Sequence, residues 1–336
     1  MLRLRVLPED TAMLETRLTK HFGVEYPIMS APMSMHSSGP LAAAVSRAGG
    51  IGLFGGTHPA GAEWLREQIG VAGAASEGRL FGVGFITHMI PAFPKLFDVA
   101  VQESVPIIAF SFADPAPYIP RAKDAGATVL CQVQSLAAAE QAVLAGTDML
   151  VVQGNEAGGH TGKAKLMPLL AEVRQRFPDL PVLAAGGIAD GRGLAAVLSA
   201  GADGAWLGTA LLATHECSDV PNAYKQKLVQ SRSEDTRYTE VFDILDVAAY
   251  GIPPWPDGIA GRTITNEFVE QWHGRESALS ERLDDLLPEY RAAAEARDVD
   301  RTAVWAGESV DFIDEVRSVA DVLRTICDDA ERRLQR

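Results

Sequence analysis

The sequence predicts an α/β protein: a (β/α)8 barrel of the TIM type, with a second, smaller α-rich domain inserted after strand eight. Three observations predict it. Up to position 210, eight short apolar runs bounded by glycine or proline alternate with amphipathic segments of about a dozen residues. The repeat then stops and charge thickens: residues 1–210 hold 15 basic and 18 acidic side chains, residues 211–336 hold 15 and 26. Finally, Val316, Val319, Leu323, Ile326, Ala330 and Leu334 recur at three- and four-residue intervals, the stripe of a helix that can return to cover the barrel.

The strand candidates are 26–31, 52–54, 81–86, 106–112, 128–133, 149–153, 182–185 and 204–207. Runs such as Met149-Leu150-Val151-Val152 do not alternate, as expected of parallel strands covered on both faces. Helices between parallel strands imply right-handed βαβ units, and eight of them allow the last strand to close on the first. Ser135 before an alanine-rich run ending at Gly146, and Asp190 before a run ending at Gly201, are helix N-caps with glycine stops. The boundaries that follow are 1–212 and 306–336 for the barrel and 213–305 for the inserted domain, whose polar helical pieces are joined by the loop 250–258.

Composition narrows the function. A chain of 336 residues with 47% hydrophobic content builds a large core, and a net charge of −14 argues against nucleic acid or an anionic membrane as partner. Cys131, Cys217 and Cys327 are too few and too scattered for a disulfide framework or a metal site. Arg3 and Arg5 run into Pro8-Glu9-Asp10 before any apolar stretch long enough for a signal peptide, and no run approaches the ~18 residues of a membrane span. A soluble cytoplasmic protein without a metal is expected; the oligomeric state stays open, a homo-oligomer included.

In such a barrel the chemistry sits on the loops after the strands. After strand six, Gln153-Gly154-Asn155-Glu156-Ala157-Gly158-Gly159-His160-Thr161-Gly162 reads as a flexible glycine-rich loop carrying one imidazole, the side chain that exchanges protons near neutrality. After strands seven and eight, Gly186-Gly187 and Gly208-Thr209 can converge backbone amides, with the Thr209 hydroxyl, on a phosphate. Gln132, a polar residue at the end of strand five, faces the ligand space. His21, His36, His58, His88, His215 and His273 are scattered and read as structural or surface residues, and Asp190 as a cap.

These residues together resemble the nitronate monooxygenase family, formerly called 2-nitropropane dioxygenases. The resemblance covers the first 230 residues through Pro27-Ile28-Met29-Ser30-Ala31-Pro32-Met33, Ala48-Gly49-Gly50-Ile51-Gly52, the His160 loop, Ala185-Gly186-Gly187-Ile188-Ala189-Asp190-Gly191 and Gly208-Thr209. Trp305-Ala306-Gly307 resembles the family's tail more weakly. The His160 loop is specific; the other motifs are shared with related flavin barrels.

The resemblance implies non-covalent FMN, with the smaller domain closing over the substrate. By resemblance, Pro32 and Met33 line the flavin, Gln132, Gln153 and Gly158 contact its ring or ribityl chain, and Gly186, Gly187, Gly208 and Thr209 hold the phosphate. His160 would be the catalytic base toward a nitroalkane; an alkyl nitronate needs none, and O2 completes the oxidation to a carbonyl compound and nitrite. Two positions depart from the family pattern: Ala210 stands where relatives often carry a basic residue, and Gly84 where many carry asparagine. Two other readings are an FMN-dependent NAD(P)H:quinone or enoyl-thioester reductase on the same fold, and a non-catalytic flavin or ligand-binding barrel.

Overall fold

The computed structural model describes residues 14–335. The sequence features at Arg3, Arg5 and 8–10, and the first thirteen residues of the barrel segment, lie outside it.

Eight strands form the barrel: β1 (Ile28–Ser30), β2 (Gly52–Gly55), β3 (Phe81–Ile86), β4 (Ile107–Ser111), β5 (Thr128–Val133), β6 (Met149–Gln153), β8 (Val182–Ala185) and β9 (Gly204–Leu207); β7 (Gly159–Thr161) stands apart in the loop after β6. The barrel sheet runs β1-β9-β8-β6-β5-β4-β3-β2 with all pairings parallel, and a bridge between Met29 and Ile51 brings its two edges together. The first and fourth strands begin later than the apolar runs do, directly after Pro27 and Pro106, because proline has no N–H for the ladder. The fourth ends before Phe112, whose φ of 72° turns the chain out of the sheet.

Outside lie the helices Gly39–Arg47, Gly61–Ala75, Pro94–Gln102, Ile119–Asp124, Leu136–Leu144, Leu166–Arg176, Gly191–Ser199 and Val319–Leu334. Ser135 and Asp190 cap their helices as the sequence suggests, accepting from the N–H groups of Ala138 (3.1 Å) and Gly193 (2.9 Å). The last helix returns to the barrel, packs on Gly191–Ser199 and buries Val319, Leu323, Ile326 and Ala330; Leu334 is exposed.

Between β9 and that helix the chain is mostly helical: Asn222–Gln230, Val241–Tyr250, Glu267–Trp272, Glu276–Ser280 and Leu283–Ala296. It also supplies β10 (Thr236–Thr239) and β11 (Ala260–Ile264), which join β7 in a three-stranded antiparallel sheet. Val241, Phe242, Leu245, Phe268, Val269, Trp272, Leu279, Leu286 and Tyr290 form a small core of their own. Among the described residues no helix is long and apolar enough to cross a membrane.

Candidate active site

The barrel interior is filled from below. Met29, Leu53, Ile107, Ala109, Leu130, Met149, Val151, Leu183 and Trp206 form the inner core, and Leu18 of the helix Arg17–Phe22 is buried with them. Side chains two residues further along a strand share a face. The inner face therefore continues from Ala109 to Ser111, from Leu130 to Gln132 and from Val151 to Gln153, so the apolar fill gives way to a polar layer at the C-terminal end. There Ser111 Oγ donates to Gln132 Oε1 (2.6 Å). Gln153 is engaged on both sides: its Oε1 accepts from Gln134 (2.9 Å) and its Nε2 donates to the His160 carbonyl (3.0 Å).

The loop after β6 is pinned, which corrects the expectation of a flexible one. Gly159–Thr161 pairs with β11, and nothing local in a glycine-rich stretch announces a partner about a hundred residues away. Inside the loop, Asn155 Nδ2 donates to the Gly162 carbonyl (2.7 Å) and Thr161 Oγ1 to the Gly154 carbonyl (3.0 Å). Buried Arg262 of β11 grips it with two donations to Asn155, from Nε to the carbonyl (3.0 Å) and from Nη2 to Oδ1 (2.8 Å), and pairs with Glu308 (3.3 Å). Burial lowers the Arg262 pKa, while Glu308 and Glu156 oppose that shift.

His160 is held on three sides. Its Nε2 lies 2.6 Å from Asp243 Oδ1 of the helix Val241–Tyr250, with side-chain exposures of 14% and 10%. The Trp255 indole stacks on the imidazole at 3.4 Å between centroids and 11° between planes, and Trp305 leans on it at 5.1 Å and 49°. Trp255 also meets Phe112 and His88 edge-on. His88, read from sequence as structural or surface, thus belongs to this cluster; both its ring nitrogens are buried without a protein partner. Burial, with a smaller push from His160, holds its pKa down at about 4, so the ring is neutral at physiological pH.

Sequence reasoning missed Asp243, Asp246, Trp255 and His88. A signal existed: Val241-Phe242-Asp243-Ile244-Leu245-Asp246-Val247 sets two carboxylates three residues apart in an otherwise apolar helix. Burial pushes the Asp246 carboxyl up to about 6, against a donated hydrogen bond from Tyr290 (2.6 Å) and with added repulsion from Asp243. Between about pH 4 and 6 the folded protein therefore holds a proton that the unfolded chain has lost, so this group's contribution to stability falls as pH rises through that window. His88, with its lowered pKa, acts in the opposite sense. Thermal melts of wild type and Asp246→Asn across pH 4–7 separate the two: wild type should lose on the order of 2 kcal/mol relative to the variant as pH rises. A constant difference would show that Asp246 does not titrate there.

At the ends of β8 and β9, Gly186, Gly187 and Gly208 are half-buried, and among the described residues their amides donate to no protein acceptor. Gly186 (φ 105°) and Gly187 (φ 70°) take backbone conformations that only glycine adopts freely. Thr209 begins the short helix Thr209–Leu212, and its Oγ1 accepts the Gly307 N–H (3.0 Å). Gly158 faces the same junction: a Cβ there would stand 2.4 Å from Gly307 N and 2.5 Å from Ala306 C, so glycine is required by backbone packing. Loops 154–158 and 305–307 thus meet backbone to backbone, and Thr209 joins them through its hydroxyl. The half-buried, unpaired amides of Gly186, Gly187 and Gly208 are donors of the kind that can cradle an anion.

The nitronate monooxygenase family profile matches residues 82–329, about three quarters of the chain. The chain belongs to the nitronate monooxygenase family. It is an enzyme, and enzymes of this family are flavin-dependent oxidoreductases. Among curated relatives, a 5-hydroxy-7a-methyl-1-oxo-octahydro-1H-indene-4-carboxyl-CoA dehydrogenase of Mycobacterium tuberculosis is 33% identical over 77% of this chain and 68% of its own. Among solved structures, FabK from Thermotoga maritima has a TM-score of 0.84 at 30% identity over 96% of this chain and 98% of that one. A nitroalkane oxidase from Streptomyces ansochromogenes has a TM-score of 0.78 at 28% identity over 94% and 98%.

Gly84 and Ala210, where the resemblance leads one to expect asparagine and a basic residue, are both closely packed. A Cβ at Gly84 would stand 2.2 Å from Pro32 Cγ, so the proline fills the space an asparagine would occupy. Ala210 is 6% exposed and packs in the main core, so a longer basic side chain there would have to displace its neighbours. Among the described residues no group of three or more His, Cys, Asp or Glu is placed to hold a metal ion.

Proposed function

We propose that this enzyme is FMN-dependent and oxidises alkyl nitronates, and nitroalkanes after deprotonation, with O2 to a carbonyl compound and nitrite. The observation that carries the proposal is His160, clamped beside Asp243 at the C-terminal face of a barrel of this family. The residues fit the cofactor. Gly186, Gly187, Gly208 and Thr209 would hold the phosphate on unpaired amides and one hydroxyl, and Pro32, Met33, Gln132, Gln153 and Gly158 would line the ring and ribityl chain. Gly158 and Gln153 would act chiefly by shaping the loop, since the first packs against Gly307 and the second braces His160.

Bound FMN supplies the electron-transfer chemistry that a protein side chain lacks. The chain positions and moves a proton. With a neutral nitroalkane, His160 takes the α-proton, the C–H bond pair passes to the nitro group, and the Asp243 carboxylate balances the charge formed on the imidazole. With a nitronate that step is already complete. Residues 213–305 would cover the substrate, bringing Asp243 and Trp255 to the site.

A second reading has a specific observation behind it, the acyl-CoA substrate in the name of the Mycobacterium tuberculosis relative: an NAD(P)H-dependent reductase of enoyl thioesters or quinones. Anaerobic mixing separates the two. The proposal expects NADH to leave the flavin absorbance unchanged over the seconds in which a nitronate bleaches it. Rapid bleaching by NADH alone, with no nitrite formed from nitronate in air, would select the reductase.

Thr209→Ala tests the cradle. Loss of the hydroxyl removes one phosphate donor and leaves the Gly307 amide without its acceptor, a cost of about 1–3 kcal/mol. FMN affinity, read by fluorescence titration, should fall on the order of tenfold. Thr209→Ser should restore it; an unchanged affinity in the alanine variant would remove Thr209 from the phosphate site.

A further inference from the structure

The contacts around His160 restrict which of its nitrogens can do chemistry. The Nε2 edge is closed by Asp243 Oδ1 at 2.6 Å, a distance at which the two atoms share a hydrogen bond and leave no room for a third group. One face is covered by the parallel Trp255 indole at 3.4 Å, and Trp305 bears obliquely on the ring at 5.1 Å. The strand pairing of Gly159–Thr161 with β11 and the Gln153 bond to the His160 carbonyl fix the backbone from which the ring projects. Among the described residues Nδ1 makes no hydrogen bond to protein.

Asp243 is itself placed for this contact. It lies in the first turn of the helix Val241–Tyr250, between buried Phe242 and Leu245, and is 8% exposed. Its other oxygen, Oδ2, is buried without a protein partner, so His160 is the side chain that satisfies this carboxylate. A carboxylate buried for packing alone would be costly, whereas one bonded to an imidazole edge is compensated and fixes the ring.

We propose that Asp243 is a positioning residue that keeps the His160 proton on Nε2, so that Nδ1 is the nitrogen that accepts the substrate proton. The inference rests on the proposed role of His160 as base. In the step it describes, the substrate Cα–H bond breaks, a new N–H bond forms at Nδ1, and the carbon's electron pair moves onto the nitro group. The resulting imidazolium carries protons on both nitrogens, one of them bonded to Asp243.

The tautomer can be read without turnover. Long-range 1H–15N correlation spectra of the FMN-loaded protein labelled with 15N-histidine, with His160 assigned by its loss in His160→Gln, should show a neutral ring with Nε2 protonated and Nδ1 of the unprotonated type. A proton on Nδ1 in wild type would overturn the proposal. Asparagine at 243 can donate its own N–H to Nε2 and so favours the other tautomer, a substitution that in a serine-protease triad costs ~10⁴-fold through the wrong tautomer. Asp243→Asn should move the His160 proton toward Nδ1. It should also lower turnover of neutral nitroalkane ~10²–10⁴-fold, lower turnover of preformed nitronate far less, and be partly reversed in Asp243→Glu. Equal loss on both substrates with the tautomer unchanged would show a merely structural role. If the protein acts on no nitro compound, the wild-type tautomer still decides the placement of the proton, so failure of the substrate reading is seen separately.

Discussion

His160→Ala is expected to lower turnover of a neutral nitroalkane ~10²–10⁴-fold, the usual contribution of a positioned general base. Turnover of the preformed nitronate should change far less, because that substrate arrives without the proton. Bound FMN should be retained, since the proposed phosphate donors lie at the ends of β8 and β9. The alanine also removes the ring between Trp255 and Trp305 and leaves Asp243 without its partner, so thermal stability should fall by about 1–3 kcal/mol. Steady-state rates on both forms of one nitro compound, at a pH where their interconversion is slow, make the comparison. Equal losses on the two would mean that His160 positions the substrate and does not deprotonate it.

Gly84→Asn is expected to be nearly as damaging, by a steric route. The asparagine Cβ would stand 2.2 Å from Pro32 Cγ, and a proline fixed by its own ring cannot rotate away. Overpacking of this kind costs ~1–3 kcal/mol, and displacing Pro32 should loosen the FMN it is proposed to line. The double variant Gly84→Asn/Pro32→Gly, which removes both Pro32 Cγ (2.2 Å) and Cβ (2.5 Å) from that space, should recover part of both losses, a non-additivity measurable by denaturant midpoints and retained flavin across the four proteins. If Gly84→Asn alone is as stable and as yellow as wild type, the Pro32 contact is not what excludes asparagine here.

The barrel was legible because its strands are covered on both faces. Most appear as apolar runs such as Met149–Val152, fully buried in the structure, with proline or glycine near their margins. The last helix was legible from its stripe, and the turn of the chain after strand six from the glycines around His160. The three-stranded sheet was not legible, because β7 has three residues in a glycine-rich stretch and its partner lies some hundred residues later. Long-range pairing leaves no local period. Asp243 and Trp255 were hidden for a related reason: the helix Val241–Tyr250 and the loop 251–259 have their own local logic, and only the tertiary fold carries these two side chains to the imidazole. Gly158 shows the converse, a motif glycine whose spacing is explained by contact with Ala306 and Gly307 of the distant Trp305-Ala306-Gly307 segment.

The most direct test of the proposed activity is nitrite release when a preformed alkyl nitronate is added in air to the FMN-loaded protein. Nitrite and carbonyl product should accumulate together with O2 consumption, over many turnovers. No nitrite above a free-FMN control, from a protein that holds its flavin, would contradict it.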